Sequence, residues 1–273
     1  MTDYEAINHY IPDMPGWSTP AKCQVLYGCV IESAAAISVD LGAFGGRASL
    51  AMAFAHRYMK LGACHAVDAW DHDVCLEGIK DETNRAWWSK PGTPGKVGDL
   101  DLEKIHQGFL ALIEGPASHH VKPWVEVHCM RIEEAYKLFL DGTVGVLHFD
   151  GNHSEFESAR DIALWMPKMA PGGFICFDDT DWTEEGVNTT AKAQKMLTDA
   201  GYTMTHKEPK CDSAGEWAIF KGPDAIYGTH INEVVYGDPT IKTRPGFVVV
   251  ESTPEVVGDT TPAEIHHDPE AKE

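Results

Sequence analysis

From residue 21 to residue 222, short apolar runs alternate with longer stretches whose apolar residues recur at helical spacing. Residues 21–36 are Ala-rich and predict a helix. The run 37–41 (ISVDL) predicts a strand closed by the glycine-rich turn 42–46 (GAFGG), and residues 47–60 predict the next helix. Residues 64–68 (CHAVD) predict a second strand, which completes a strand–turn–helix–strand unit of a parallel sheet. The alternation continues with strands at 125–128, 145–150 and 174–178 and helices at 131–141, 154–169 and 186–200. Two late runs, 202–206 and 216–220, have no helix between them and predict an antiparallel hairpin at the sheet edge. The predicted fold class is therefore α/β: a doubly wound, mostly parallel seven-stranded sheet with an antiparallel edge hairpin.

Three segments stand outside this pattern. Residues 1–20 carry Tyr4, Tyr10, Pro12, Pro15, Trp17 and Pro20 and read as an N-terminal arm. Residues 71–120 hold charged helical stretches, Trp87-Trp88 and a Pro/Gly cluster at 91–98, and read as an insertion that forms a lid. The pattern fades after Lys221. Residues 223–273 read as a C-terminal extension, and from 251 onward seven acids against one Lys predict disorder.

Charge narrows the function. The chain has 273 residues, 42 acidic against 22 basic, and a net charge of −20. Such a surface repels phosphate backbones and anionic membranes, which argues against nucleic acid or membrane partners. No apolar run is long enough to span a bilayer. The first twenty residues have neither the basic nor the apolar region of a secretory leader, and the seven scattered cysteines form no CxxC. Both features predict a cytoplasmic protein with reduced thiols. Self-association is left open.

The candidate chemistry lies at strand ends. A glycine turn between a strand and a helix directs backbone N–H groups at a ligand. The dinucleotide fingerprint G-x-G-x-x-G is not met, because Phe44 follows Ala43, which argues against NAD and FAD. Asp68 ends the adjacent strand, where an acid can accept hydrogen bonds from ribose hydroxyls. Asp150 ends the fourth strand, and Asp178 and Asp179 end the fifth. If those strands are neighbours, three carboxylates converge. Their mutual repulsion is relieved by a divalent cation, for which oxygen ligands favour Mg²⁺, Ca²⁺ or Mn²⁺. His153, three residues beyond Asp150, is placed to accept a hydroxyl proton. Asp181 and Trp182 follow as pocket residues with weaker support. His119-His120 and His266-His267 have no ligand-like partners nearby and read as surface residues.

The stretch 40–46 (DLGAFGG) resembles the first motif of class I S-adenosylmethionine-dependent methyltransferases, D/E-x-G-x-x-x-G. Residues 148–153 (HFDGNH), 161–165 (DIALW) and 170–179 (APGGFICFDD) resemble the small-molecule O-methyltransferase group that includes the macrocin and cephalosporin-type enzymes. The resemblance covers about residues 30–222 and implies the Rossmann-like methyltransferase fold. It places Gly42, Ala43, Phe44 and Gly46 against the methionine part of the cofactor and Asp40 near its amino group. Asp68 would hold the ribose, and Cys129 and Met130 would pass near the adenine. It also implies that Asp150, Asp178 and Asp179 hold a divalent metal, Mg²⁺ first, that binds an acceptor hydroxyl. The expected reaction is methyl transfer from S-adenosyl-L-methionine to a hydroxyl of a small polyhydroxylated molecule, with His153 and Asp150 as catalytic residues. The rival readings are a metal-independent enzyme acting on nitrogen or a macromolecule, and a non-catalytic cofactor-binding module.

Overall fold

The computed structural model describes residues 2–93, 100–115, 121–211 and 214–224. Its sheet has seven strands: β1 (Ile37–Leu41), β2 (Ala63–Asp68), β3 (Val125–Cys129), β4 (Val144–Phe149), β5 (Met169–Phe177), β8 (Thr203–Glu208) and β9 (Trp217–Lys221). The spatial order is β3-β2-β1-β4-β5-β9-β8. The first five strands pair in parallel, while β9 runs antiparallel between β5 and β8. The predicted architecture and its edge hairpin are therefore present. The short strands β6 (Thr183–Glu184) and β7 (Val187–Asn188) form a separate ribbon.

Strand residues alternate between two cores. Cys64, Ala66, Val146, Phe174 and Cys176 pack with helices α1 (Asp3–Tyr10), α2 (Pro20–Ser33) and α3 (Arg47–Met59). Val39, Leu41, Leu147, Phe149, Ile175 and Phe177 face α8 (Glu155–Trp165) and α9 (Ala191–Asp199). Burial on both faces explains why the central strands read as continuous apolar runs. No helix of the described residues is long and apolar enough to cross a membrane.

The helix expected at 131–141 and the start of the fifth strand are corrected, and the segments outside the alternating pattern gain defined elements. Much of the predicted arm is structured as α1, opened by a capping box between Thr2 and Glu5, and it buries Ala6, Ile7 and Ile11. The helix predicted at 131–141 is only α7 (Ile132–Ala135) and a single tighter turn, Tyr136–Leu138. The chain then extends at Phe139, which turns into the core and leaves Leu138 and Leu140 exposed. β5 begins at Met169, five residues before its predicted start, and takes in the Pro-Gly-Gly segment through an irregular register with β4. The 71–120 segment supplies α4 (His72–Cys75), α5 (Glu82–Trp87) and α6 (Leu102–Glu114), each opened by an Asp whose side chain accepts from the first-turn N–H groups. The C-terminal extension from 225 on, its acidic tail included, and His119-His120 lie outside the described residues.

Candidate active site

The carboxyl ends of the parallel strands open into a cavity of about 480 Å³. An open parallel sheet binds ligands at this edge, beside the point where strand order reverses between β1 and β4. Gly42 is the pivot. Its φ of +81° belongs to the region glycine tolerates, and a Cβ there would come within 1.9 Å of the Asp150 carbonyl oxygen. The turn after β1 is thereby pressed against the end of β4, so Gly42 and Asp150 share one wall.

Asp68 ties this turn to the end of β2. One carboxylate oxygen accepts from Phe44 N–H at 2.9 Å, the other from Trp70 N–H at 2.7 Å. Burial pushes its carboxyl up to about 6, against the pull of those N–H donors. The Trp70 indole donates in turn to the Phe44 carbonyl at 2.9 Å. Gly46 begins α3 at φ +85° and packs so closely on Phe109 of α6 that no side chain fits there.

The cavity floor is acidic. Asp150, Asp178 and Asp179 all line it, and β4–β5 pairing makes their strands neighbours. His153 closes the group: its Nε2 lies 3.6 Å from Asp150 Oδ1 and 3.4 Å from Asp179 Oδ2, and its ring stacks on Trp182 at 5.0 Å. Neither His153 Nε2 nor Asp178 Oδ1 has a hydrogen-bond partner among the described residues, although both are buried. Burial, and then Asp178, raises the Asp150 carboxyl well above the usual range. Burial also raises Asp179, opposed by His153.

Asp178 goes the other way. Burial opposes its charge, but the Lys22 ammonium in direct contact, together with His148 and a hydrogen bond from Asp150, outweighs that and holds its carboxyl at about 2. Lys22 comes from α2, is fully buried, and shares the helix stripe of Cys23, Leu26, Cys29 and Val30. The Ala-rich composition of residues 21–36 points to no site residue, and the lysine is a functional contact that sequence reasoning misses. The available signal was a charge on an otherwise apolar stripe.

The cavity mouth is aromatic. Trp17 packs 5.0 Å from both Phe44 and Trp87, and Trp87 packs 5.2 Å from Trp88. All four line the cavity. The arm and the insertion thus each contribute a wall. Glu77, Arg160 and Asp161 line it too, and were not foreseen. Burial pushes the Asp161 carboxyl up to about 7 despite Arg160, which donates to it at 2.8 Å.

A family model described as a methyltransferase domain matches residues 39–180, just over half of the chain. The chain belongs to this methyltransferase family. No curated protein sequence matches it. Among solved structures it is similar to an O-methyltransferase from Bacillus cereus in complex with SAH (TM-score 0.54, 12% identity, 81% of this chain and 90% of that one). It is also similar to cofactor-bound Rv0187 from MTB (TM-score 0.54, 11% identity, 81% and 88%). The O-methyltransferase TomG from Streptomyces achromogenes, in complex with SAM, follows at TM-score 0.50 and 14% identity, covering 81% and 89%. At these identities the likeness shows a shared fold.

Within this methyltransferase, Gly42, Phe44, Asp68, Asp150, His153, Asp178 and Asp179 meet at one cavity, together with Asp181 and Trp182. Others do not reach it. Asp40 is buried beneath the turn, where it accepts from Ser49 and pairs with His148 Nδ1 at 2.7 Å. Ala43 is buried in the core around α3, and Gly46 is turned to Phe109. Cys129 is exposed with its Sγ 3.8 Å from the Ala69 carbonyl, and Met130 packs in the second core. Ala69 lines the cavity in their place. Asn152 is occupied, donating to the Glu77 carbonyl and accepting from Ser154 N–H.

Proposed function

We propose that this methyltransferase uses S-adenosyl-L-methionine and methylates a hydroxyl oxygen of a small polyhydroxylated molecule with the help of a divalent cation, Mg²⁺ first. The observation that carries this reading is the convergence of Asp150, Asp179 and His153 at the floor of a cavity whose adjacent wall is Gly42, Phe44 and Asp68.

The residues fit both groups. The turn at Gly42 leaves backbone, not side chain, toward the cofactor space, and each Asp68 oxygen keeps a lone pair beyond its N–H bond for a ribose hydroxyl. Asp150, Asp178 and Asp179 are an oxygen-rich set: burial pushes the Asp150 and Asp179 carboxyls up, and a buried Asp178 oxygen has no hydrogen-bond partner among the described residues, so the floor offers a place for positive charge. When bound, the cofactor supplies an electrophilic methyl and the cation a Lewis acid for the acceptor oxygen. The chain does the rest. His153 Nε2 has no hydrogen-bond partner among the described residues and takes the proton as the acceptor oxygen attacks. The stack on Trp182 holds the imidazole plane. Trp17, Trp87 and Trp88 offer flat faces to a ring-bearing acceptor and exclude water from the transfer.

One observation favours a metal-independent reaction: Lys22 already compensates Asp178. Chelation separates the two. The proposal expects transfer to a panel of vicinal diols to stop in EDTA and return with Mg²⁺. It expects Asp150→Asn and His153→Ala to retain cofactor binding by calorimetry while losing about 10²-fold or more in kcat. Transfer that ignores EDTA supports the metal-free enzyme. Cofactor binding with no methylated acceptor supports a binding module.

A further inference from the structure

A second group of metal-ligating side chains lies on the other arm of the sheet, away from the cavity. Parallel pairing of β2 with β3 sets His65 opposite Glu126, and His128 follows Glu126 by two residues. Residues in register share a face, and so do residues two apart on a strand, so the backbone alone places all three side chains together. The contacts bear this out. His65 Nδ1 lies 3.0 Å from His128 Nε2 and 3.6 Å from Glu126 Oε2. The imidazoles stack at 5.3 Å, with Phe139 edge-on to His65 at 5.0 Å and to His128 at 6.5 Å. One nitrogen from each ring and one carboxylate oxygen form a compact triangle.

We propose that His65, Glu126 and His128 bind a divalent transition metal ion of the zinc class. Two imidazoles and one carboxylate are a donor set that selects Zn²⁺ and its neighbours over Mg²⁺ or Ca²⁺. Ligand atoms at about 2.1 Å from a tetrahedral ion lie about 3.4 Å from one another, close to the spacing found here. The two nitrogens need to part by only a few tenths of an ångström. The shared N–H bond between the rings is replaced by the ion, and its proton moves to the other nitrogen of that ring. Phe139 fixes both ring planes, so little order is lost on binding. Glu126 is mostly exposed, with 61% of its side chain open, and provides the entrance and a fourth position for water. Burial disfavours the charged form of both imidazoles, which keeps them neutral and able to ligate at neutral pH. The ion would clasp edge strand β3 to β2, just below the Asp68 end of the cofactor wall.

The proposal is independent of the reaction assigned above, and so is its test. The full chain is stripped with EDTA, desalted into buffer containing excess Mg²⁺, and titrated with ZnCl₂ by calorimetry. One zinc per chain is expected. His65→Asn and His128→Asn should each weaken it by about tenfold or more. Glu126→Gln, a change at an exposed position, should weaken it less and leave the fold intact. Asp150→Asn should leave it unchanged. Each variant's metal-free circular dichroism and melting temperature are compared with the parent. Zinc binding that survives both histidine changes, or that disappears in Asp150→Asn, overturns the assignment, as does the absence of zinc binding in the parent.

Discussion

Replacing Lys22 by Met tests the electrostatic account of the cavity floor. Lys22 is fully buried in α2, and its ammonium contacts Asp178, which is buried as well. Met keeps the length and apolar stem but removes the charge, and leaves a carboxylate in the interior beside Asp150. Removing one partner of a buried ion pair costs about 3–5 kcal/mol. For a domain of this size each kcal/mol moves the melting temperature by about 2–4 °C, so a fall of roughly 6–20 °C is expected. Thermal unfolding in EDTA near neutral pH measures it. Adding Asp178→Asn to Lys22→Met should recover much of the loss, a coupling of about 2 kcal/mol or more in the double-mutant cycle. Acid supplies a second check. The Asp178 carboxyl is held at about 2, below its unfolded range, so its contribution is present above roughly pH 4 and lost as pH falls toward 2. Lys22→Met should lose that acid-side transition. A loss below about 1 kcal/mol, or a double mutant no better than the sum of its parts, would refute the account.

Two further predictions concern the cofactor wall. Gly42→Ala should destabilise the fold by about 1–3 kcal/mol in denaturant unfolding, because its Cβ meets the Asp150 carbonyl at 1.9 Å and its φ is +81°. An Ala variant as stable as the parent would show that the turn and β4 are not in contact. Asp68, with its carboxyl near 6, should make S-adenosylmethionine affinity fall as pH drops through about 6, since the protonated acid loses acceptor capacity. Calorimetry across that range should show the slope in the parent and not in Asp68→Asn. The sign for stability is opposite: the folded carboxyl is raised above its unfolded value, so its contribution is greatest below about pH 4 and is lost as pH rises toward 6.

The sheet was legible because its central parallel strands β1, β4 and β5 are buried on both faces and end in glycine or acidic turns. All seven strands of the main sheet lie where the apolar runs predict, within a few residues. Elements whose pattern is set by one partner were not. The run 131–141 has helix-forming composition, yet packing of Phe139 against His65 and Trp165 draws the chain into extended backbone after one turn. The arm hid a readable capping box, Thr2 to Glu5, behind its prolines and aromatics. Asp40 shows the limit of motif reading at a strand end. The spacing that puts an acid before the glycine turn is satisfied equally by a side chain facing a ligand and by one buried on His148, a partner 108 residues away.

The same distinction explains what the acidic floor required. Asp150, Asp178 and Asp179 could be inferred to converge, because strand ends in a parallel sheet all point to one edge. Their compensating charge could not, because it arrives from a helix packed on one face, 156 residues from its partner, and depends on which side of α2 meets the sheet. Once Lys22 is included, the charge arithmetic becomes specific. Of the three carboxylates only Asp178 has the buried ammonium in direct contact, and Asp150 and Asp179 are the two that flank His153. Burial first, and Asp178 beside them, push both of these carboxyls up, so their charged forms lack compensation from the chain. Under the proposed metal-assisted reaction, a divalent cation would supply the compensation that Asp150 and Asp179 lack, with Asp178 already balanced by the buried lysine. A second lysine at the floor would have removed the electrostatic reason for such an ion.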